Sequence, residues 1–253
     1  MTILNPTQRF SDRVKDYIKY RPDYPEALFT HLVKHCGLTA DHIVADIGSG
    51  TGLLTKHFLD RGHQIYAVEP NTPMRSAAES LLHAYPQFQS ISGQAEATTL
   101  ANASVDWIVA GQAFHWFDQE KTRLEFERIL KPGGHVALIW NDRIDEIPFH
   151  QDYEEFLQTH CPDYKKVNHR RVSRRTLEQF FTPLTMEMAT FEHEQIFDFD
   201  GLRGRLLSCS YAPKPDAPNY GTMITALKHL FDRHGQNDQI VFPYQTKLFH
   251  FSE

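Results

Sequence analysis

An acidic residue precedes three evenly spaced glycines in the segment VADIGSGTGLL, which begins at residue 44. The acid is Asp46, and the glycines are Gly48, Gly50 and Gly52. Glycine forms tight turns and lets a ligand approach the backbone closely, because it carries no side chain. A carboxylate beside such a turn favours a ligand with a positive group. The segment therefore predicts a binding site for a cationic small molecule.

The same spacing disfavours two classes of nucleotide-binding protein. Leu53 occupies the place of the third glycine in the dinucleotide-binding fingerprint G-x-G-x-x-G. No Lys-Ser or Lys-Thr pair follows the glycines, so the lysine that grips nucleotide phosphates in a P-loop is also missing. We therefore do not expect this turn to bind a diphosphate.

A second acidic residue, Glu69, ends the apolar run HQIYAVEP, about 20 positions after Gly48. A carboxylate at the tip of a strand can bind the two hydroxyls of a ribose. NAD-dependent enzymes share this feature, so an NAD-dependent oxidoreductase stays open as an alternative on this residue alone.

These residues need a framework, and the chain between residues 43 and 141 supplies the pattern of an α/β fold. Short apolar or β-branched runs alternate there with helical spacing, which is typical of βαβ units around a parallel sheet. The predicted strands are 43–47, 64–69, 88–92, 105–110 and 135–140, and the predicted helices between them are 53–59, 74–83 and 121–130. Alternation at 184–191 and 244–251 predicts two further strands.

The segment before the sheet has a different pattern. Residues 6–36 predict two helices joined at YIKYRPDYP, where two prolines interrupt helical hydrogen bonding. We expect residues 1–36 to form an N-terminal helical cap or lid and residues 37–253 to form the main domain. Within that domain, 142–183 and 200–240 are candidate insertions that cover a substrate.

Several motifs together resemble one family. DIGSGTG followed by the acid Glu69 resembles motif I and the next acidic position of class I S-adenosylmethionine-dependent methyltransferases. SGQAEATTL, VDWIVAGQAFHWFD and ILKPGGHVALIWN resemble the later motifs of that family. With YIKYRPDYP and SCSYAPKP included, the chain resembles the small-molecule branch that contains trans-aconitate methyltransferase-like, or type 11, proteins. The resemblance implies a Rossmann-like, doubly wound, mostly parallel seven-stranded sheet in the order 3-2-1-4-5-7-6, with the last strand antiparallel.

The resemblance also implies which residues bind S-adenosylmethionine. The glycine turn would surround the methionine part, with Asp46 supporting the turn and the ligand amine, and Glu69 would bind the ribose. Residues after the second and third strands would contact the adenine, and Gln112 would lie where the donor meets the acceptor. The implied cofactor-binding residues are Asp46, Gly48, Ser49, Gly50, Thr51, Gly52, Glu69, Pro70, Asn71, Met74, Ala95, Glu96 and Gln112.

His115 is the candidate general base, because it follows the fourth strand and its ordinary pKa lies near neutrality. Methyl transfer needs a base only when the acceptor is protonated, since the donor is already activated and alignment supplies much of the rate. The alternative that we favour is a packed rim in which His115 and Trp116 line the pocket without taking a proton.

Three residues of the N-terminal segment could close over the donor. Tyr17 and Tyr20 would cover the pocket, and the guanidinium of Arg21 could bind a carboxylate of the donor or acceptor. The alternative is a pair of helices whose aromatic residues simply pack on the sheet.

Composition excludes several other functions. The net charge of −6 disfavours a nucleic-acid-binding protein, and the basic stretch 165–175 is too short and isolated to reverse this. No apolar stretch approaches the length of a membrane span, and the three distant cysteines suggest neither disulfides nor zinc. His31 and His35 lack a complete ligand set, so no metal is expected. We expect a cytoplasmic protein whose oligomeric state is open.

Taken together, the sequence predicts methyl transfer from S-adenosylmethionine to a small organic acceptor, such as a carboxylic acid. A non-catalytic protein that binds the same ligand stays open, because a donor-binding turn does not establish turnover.

Overall fold

A computed structural model describes residues 13–166 and 174–252. Its centre is a seven-stranded sheet in the order β3-β2-β1-β4-β5-β7-β6. The first five strands in that order are parallel, and β7 runs antiparallel to both β5 and β6. The predicted fold class and strand order are confirmed. The strands are β1 Ile43–Ile47, β2 Gln64–Val68, β3 Phe88–Ile91, β4 Val105–Gly111, β5 Leu130–Arg143, β6 Thr185–Phe197 and β7 Ile240–Ser252.

The central strands are apolar because helices cover both faces of the sheet. In β1 four of the five residues are buried, and β4 is buried from Trp107 to Ala110. The edge strand β6 alternates exposed and half-buried residues instead, since only one of its faces is covered. The helices are α1 Val14–Tyr20, α2 Glu26–His35, α3 Leu53–Leu59, α4 Thr72–Leu82, α5 Gln119–Ile129, α6 Pro148–His160, α7 Arg174–Phe181, α8 Phe199–Leu207 and α9 Tyr220–His234.

Polar side chains fix where several helices begin. Asn71 accepts a hydrogen bond from the backbone amide of Met74 at 3.0 Å and caps α4. Asp198 accepts one from Gly201 at 2.7 Å and caps α8. Because α4 begins directly after β2, its cap holds the chain at the carboxyl edge of the sheet, where ligands bind in open α/β folds.

Three apolar clusters hold these layers together. One packs α2 and α3 on the sheet around Phe29, Phe58 and Trp107, and one packs α5 and α7 on the opposite face. The third lies among α6, α8, α9 and β7, around Tyr153 and Phe242. This third cluster gives the segments after β5 an apolar centre of their own. The division into a cap and insertions stays a prediction.

Element boundaries differ from the expectations mainly in the second half. Strands β6 and β7 pair over 13 residues, so each is longer than its predicted range of eight. The predicted ranges stopped at 191 and began at 244, although the β6 alternation continues as far as Ile196. Most of the basic stretch 165–175, and the predicted helical residues 6–12, lie outside the described residues.

Candidate donor and acceptor site

A cavity of about 370 Å³ lies at the carboxyl ends of the parallel strands. It is where the topology places ligands, because β1 and β4 are neighbours whose connections leave in opposite directions. Its lining residues are Tyr17, Gly48, Gly50, Glu69, Pro70, Asn71, Met74, Gln94, Ala95, Glu96, Gly111, Gln112, Ala113, Trp116, Phe117, Asp118 and Lys121.

The glycine turn between β1 and α3 forms one wall of the cavity. Gly48 has a φ of +73°, and a Cβ there would lie 2.6 Å from the Cβ of Ala113. Gly50 has a φ of +59°, and the atom nearest to its hypothetical Cβ is the methyl group of Met74 at 3.5 Å. A glycine is thus required at position 48, because Ala113 leaves no room for a side chain there. At Gly50, by contrast, the space that a side chain would fill is open on the cavity side.

Glu69 ties the turn to the start of α4. One carboxylate oxygen accepts a hydrogen bond from the amide of Gly50 at 2.9 Å, and the other accepts one from Asn71 at 2.7 Å. Burial raises the pKa of Glu69, and the two amide hydrogen bonds oppose that rise. Each carboxylate oxygen has a second lone pair, so this side chain can also accept hydrogen bonds from ligand hydroxyls.

Asp46 lies beneath the turn and does not line the cavity. It is 1% exposed and accepts a hydrogen bond from the hydroxyl of Thr55 at 2.6 Å. Burial raises the pKa of Asp46 to about 7, against the hydrogen bond from Thr55. The geometry gives Asp46 a supporting position, and its contact with a ligand amine stays a prediction.

The donor groups of the cavity fit an amino-acid sulfonium nucleoside. The hydroxyl of Ser49 is buried without a hydrogen-bond partner, which leaves it available to a polar ligand group. Three lining acids, Glu69, Glu96 and Asp118, face one lining base, Lys121. This excess of negative charge favours a cationic ligand and disfavours a diphosphate.

The opposite wall follows β3 and β4. Glu96 accepts a hydrogen bond from the amide of Asp118 at 2.7 Å, which joins the two loops. Gln112 has a φ of +58° and donates its side-chain amide to the carbonyl of Asn141 at 3.2 Å. A non-glycine residue in this conformation is uncommon, and such residues occur where a neighbouring structure holds them for function.

The structure brings nine of the predicted cofactor-binding residues to the cavity wall. They are Gly48, Gly50, Glu69, Pro70, Asn71, Met74, Ala95, Glu96 and Gln112. Gly52, Ser49 and Thr51 belong to the turn but are not among the lining residues, and neither is Asp46. His115 does not line the cavity either; its ring packs 4.9 Å from the ring of Trp116, which does.

Phe117 lines the cavity beside Trp116, as the packed-rim alternative for AFHWFD expects, whereas sequence reasoning missed Gln94, Gly111, Ala113, Asp118 and Lys121. All lie in or after the ends of β3 and β4 or at the start of α5. Their place after parallel strands is a signal that was present in the sequence, because the carboxyl ends of such strands meet at one edge.

Comparison with known proteins agrees with this site. Residues 45–138 match a family described as a methyltransferase domain. An uncharacterized methyltransferase of Mycobacterium tuberculosis is 34% identical over 148 residues, which span 58% of this chain and 58% of that protein. An uncharacterized methyltransferase-like protein of Schizosaccharomyces pombe is 27% identical over 248 residues, 95% of this chain and 93% of its own.

Solved structures share the whole fold. A "putative type II methyltransferase" from Anaeromyxobacter dehalogenans has a TM-score of 0.65 at 22% identity, covering 91% of this chain and 95% of that one. Phosphoethanolamine N-methyltransferase 2 of Haemonchus contortus, in complex with S-adenosyl-L-methionine, has a TM-score of 0.58 at 16% identity, covering 99% of this chain and 59% of that one.

The chain thus resembles class I S-adenosylmethionine-dependent methyltransferases in sequence and in fold. The trans-aconitate-like branch stays a prediction.

The N-terminal helix α1 bridges the donor cavity and α8. Tyr17 lines the cavity, and the guanidinium of Arg21 lies over the Tyr17 ring at 4.8 Å. Arg21 also donates to the carbonyl of Ser208 at 3.1 Å. The ring of Tyr20 lies against the backbone of Gly204, where a Cβ would come within 2.1 Å of it. Tyr20 and Arg21 therefore contact α8 and its end, and only Tyr17 of the three reaches the donor cavity.

A second buried polar cluster lies beyond Tyr17, and sequence reasoning missed it. Arg205 of α8 is 7% exposed and donates to the hydroxyl of Tyr244 at 2.9 Å and to the sulfur of Cys209 at 3.0 Å. Arg143, at the end of β5, pairs with Glu154 of α6 and donates to the hydroxyl of Tyr164 at 2.8 Å. Apart from Arg205 and Cys209, which are four positions apart, these residues are distant in sequence, so no local pattern indicates that they meet.

The described residues contain neither a metal-binding cluster nor a membrane-spanning helix. Within 13–166 and 174–252, no group of three or more His, Cys, Asp or Glu side chains could hold a metal ion. In the same ranges, every helix is too short or too polar to cross a membrane.

Proposed function

We propose that this chain transfers a methyl group from S-adenosylmethionine to a small organic acceptor of the carboxylic-acid class. The observation that carries the proposal is the acidic, glycine-walled cavity in which Glu69 joins the turn to α4. When bound, S-adenosylmethionine supplies a methyl group that its sulfonium has already activated.

The donor side of the cavity would bind and orient the sulfonium nucleoside. The open space at Gly50 admits the methionine part, and the spare lone pairs of Glu69 accept the ribose hydroxyls. Asn71 and Met74 lie beside the adenine, with Glu96 at its edge. Asp46 would hold the turn and contribute negative potential below it.

The acceptor side would align the attacking atom and exclude water. Gln112, Trp116 and Tyr17 form the part of the wall between the two sides. Among the described residues that line the cavity, none is a histidine. A carboxylate acceptor suits such a site, because it is ionised at neutral pH and needs no general base before attack.

The helices around this side support a covering role. We propose that α1 forms a lid through Tyr17, and that the segments carrying α6, α8 and α9 cover the acceptor. We also propose a cytoplasmic location, which is supported by three buried cysteines that are all free thiols.

Two measurements test the proposal. Calorimetric titration should give binding of S-adenosylmethionine and S-adenosylhomocysteine, with NAD at least 100-fold weaker because its diphosphate meets the acidic wall. Mass spectrometry of a carboxylic-acid panel with the donor should then give a product heavier by one methylene unit. Donor binding without any methylated product would favour a non-catalytic protein, and tight binding of NAD alone would favour an oxidoreductase.

A further inference from the structure

Arg205 is a buried cation that has no carboxylate partner among the described residues. Its Nε and Nη1 atoms donate to Tyr244 and Cys209, whereas Nη2 has no hydrogen-bond partner among the described residues. In the same part of the chain, no carboxylate lies within 4.0 Å of this guanidinium. Aromatic rings close part of its surroundings, with Phe242 at 5.6 Å and Tyr244 at 5.8 Å. A buried charge in such a place is costly unless an anion compensates for it.

Arg143 is a buried guanidinium with a structural role, and its partners differ from those of Arg205. Its side chain is 11% exposed, close to the exposure of Arg205, but it forms an ion pair with Glu154. Arg205 instead has the thiol of Cys209 as the one hydrogen-bond partner among the described residues that can become an anion near neutral pH, and no carboxylate.

Arg21 brings a second positive charge to the same place. Its Nε is buried without a hydrogen-bond partner, and Nη2 donates only to the carbonyl of Ser208. Burial raises the pKa of Cys209, but the charges of Arg21 and Arg205 and hydrogen bonds from Tyr211 and Arg205 more than offset this and lower it to about 6. The thiolate that results neutralises one of the two guanidiniums, so one positive charge is left over.

Tyr17 connects this positive region with the donor cavity. Its ring lies under the guanidinium of Arg21, and its hydroxyl is within electrostatic range of both Arg205 and Glu69. Neither guanidinium lines the donor cavity, so an acceptor with one end beside the donor would have to reach them past Tyr17.

We propose that Arg205, assisted by Arg21, binds a carboxylate of the methyl acceptor and so determines the acceptor class. This inference rests on the proposed function, and it adds the residues that recognise the acceptor. Guanidinium is suited to the task because it donates two parallel hydrogen bonds to a carboxylate. The carboxylate held in this way orients the acceptor, and the methyl group is received at the end that faces the donor.

The test compares Arg205→Met with Arg203→Met. Methionine keeps much of the side-chain volume without the charge, and the Tyr244 hydroxyl keeps its hydrogen bond to Gln195 at 2.9 Å. Arg203 lies on the same helix, is 43% exposed and pairs with Asp200, so its loss removes the same charge from the surface. The probes are acetate, succinate and tricarballylate, with succinamide as the neutral analogue, titrated into protein saturated with S-adenosylhomocysteine.

We expect at least one of the three carboxylates to bind the native chain and succinamide not to bind. Arg205→Met should weaken that binding at least tenfold, whereas Arg203→Met should change it less than twofold. The melting temperature of Arg205→Met without probe should be unchanged or higher, because an uncompensated buried charge has been removed. A purely structural arginine would give the opposite result.

A second readout does not depend on the acceptor. Titration of the Cys209 thiolate by its ultraviolet absorbance should give a higher pKa in Arg205→Met than in Arg203→Met. Should Arg205→Met fail to fold, Arg21→Met provides the same comparison on the other guanidinium.

The proposal would be overturned if no carboxylate bound the native chain, or if Arg205→Met and Arg21→Met both bound the probe as the native chain does. Binding of S-adenosylhomocysteine is measured first in every variant. Its absence from the native chain would contradict the proposed function, whereas its presence with unchanged carboxylate binding would contradict only the role of Arg205.

Discussion

The two buried polar regions on either side of Tyr17 are built differently. On the donor side, Glu69 and Asp46 already accept hydrogen bonds from the protein, at Gly50, Asn71 and Thr55. On the other side, Arg205 and Arg21 have no carboxylate partners among the described residues, and the thiol of Cys209 can neutralise only one of them. The donor region is thus organised before a ligand arrives, whereas the region that we propose for the acceptor keeps an excess positive charge. On this proposal, the first region binds a constant ligand and the second selects a particular one.

The largest expected effect comes from the donor turn. Gly50→Val should weaken binding of S-adenosylmethionine at least 100-fold, because a branched side chain would occupy the open wall of the cavity and disfavour its positive φ. Calorimetric titration measures the change.

Gly133→Val is the matched control, since Gly133 also has a positive φ, +72°, with nothing near its hypothetical Cβ. It should bind the donor as the native chain does. Native affinity in a folded Gly50→Val protein would place the donor elsewhere.

Asp46→Asn measures two effects of this carboxyl separately: its effect on the stability of the fold and its effect on donor binding. Burial raises the pKa of Asp46 to about 7, so the folded chain binds a proton that the unfolded chain releases near pH 4. This carboxyl therefore destabilises the fold increasingly as pH rises through 7. Between pH 6 and 8, the free energy of unfolding of the native chain should fall relative to Asp46→Asn by about 1 kcal/mol.

The same substitution should weaken binding of the cationic donor about tenfold at pH 8, because the negative potential below the turn is lost. Asp41→Asn, which changes an exposed carboxyl, is the control for both measurements. Equal pH profiles for Asp46→Asn and the native chain would show that Asp46 does not titrate in this range.

His115→Ala tests whether a general base acts between the donor region and the proposed acceptor region. The histidine packs on Trp116 and does not line the cavity, so turnover should stay within about threefold of native with unchanged donor affinity. Single-turnover kinetics give the chemical step. A 100-fold slower step at native donor affinity would restore His115 as the general base.

The remaining effect is on stability alone, and it lies at the opposite end of the sheet, outside both regions. His250 receives or donates a 2.9 Å hydrogen bond with His135, and both rings stack near Trp107. Burial, with His135 adding to it, lowers the pKa of His250 to about 4. The unfolded chain then binds more protons between about pH 6.5 and 4, so stability is lost as pH falls through this window.

From pH 7 to 5, the free energy of unfolding of the native chain should fall about 2 kcal/mol more than that of His250→Phe. Urea unfolding at each pH measures it, with the exposed His229→Gln as control. A parallel decrease in all three proteins would remove His250 as the cause.

The donor region could be predicted from the sequence because its parts are local. The glycines of the turn lie within five residues of one another, and Glu69 follows the next strand, so one strand-turn-helix pattern and one strand end sufficed. The order of the sheet came with the family resemblance. The Gln112 conformation and the residues after β4 were harder, since loop geometry depends on contacts such as that between Gln112 and Asn141.

The region around Arg205 could not be found from local sequence patterns, although Arg21 could be singled out by its residue type. Arg205 meets Tyr244 across 39 residues and Arg21 meets Ser208 across 187, and no periodicity relates such positions. The lengths of β6 and β7 were underestimated for a related reason, because each strand is stabilised by pairing with the other rather than by its own sequence.

The missing side chain at Gly204 has a further consequence. Because the ring of Tyr20 fills that space, α1 near the beginning of the chain packs closely against α8 in its last quarter. A shortened protein that lacks α1 would leave a hollow on α8 and bare the flank of Arg205 to water. Expression boundaries drawn around the seven-stranded sheet alone would therefore remove Tyr17 from the cavity wall and uncover Arg205, the residue that we propose binds the acceptor.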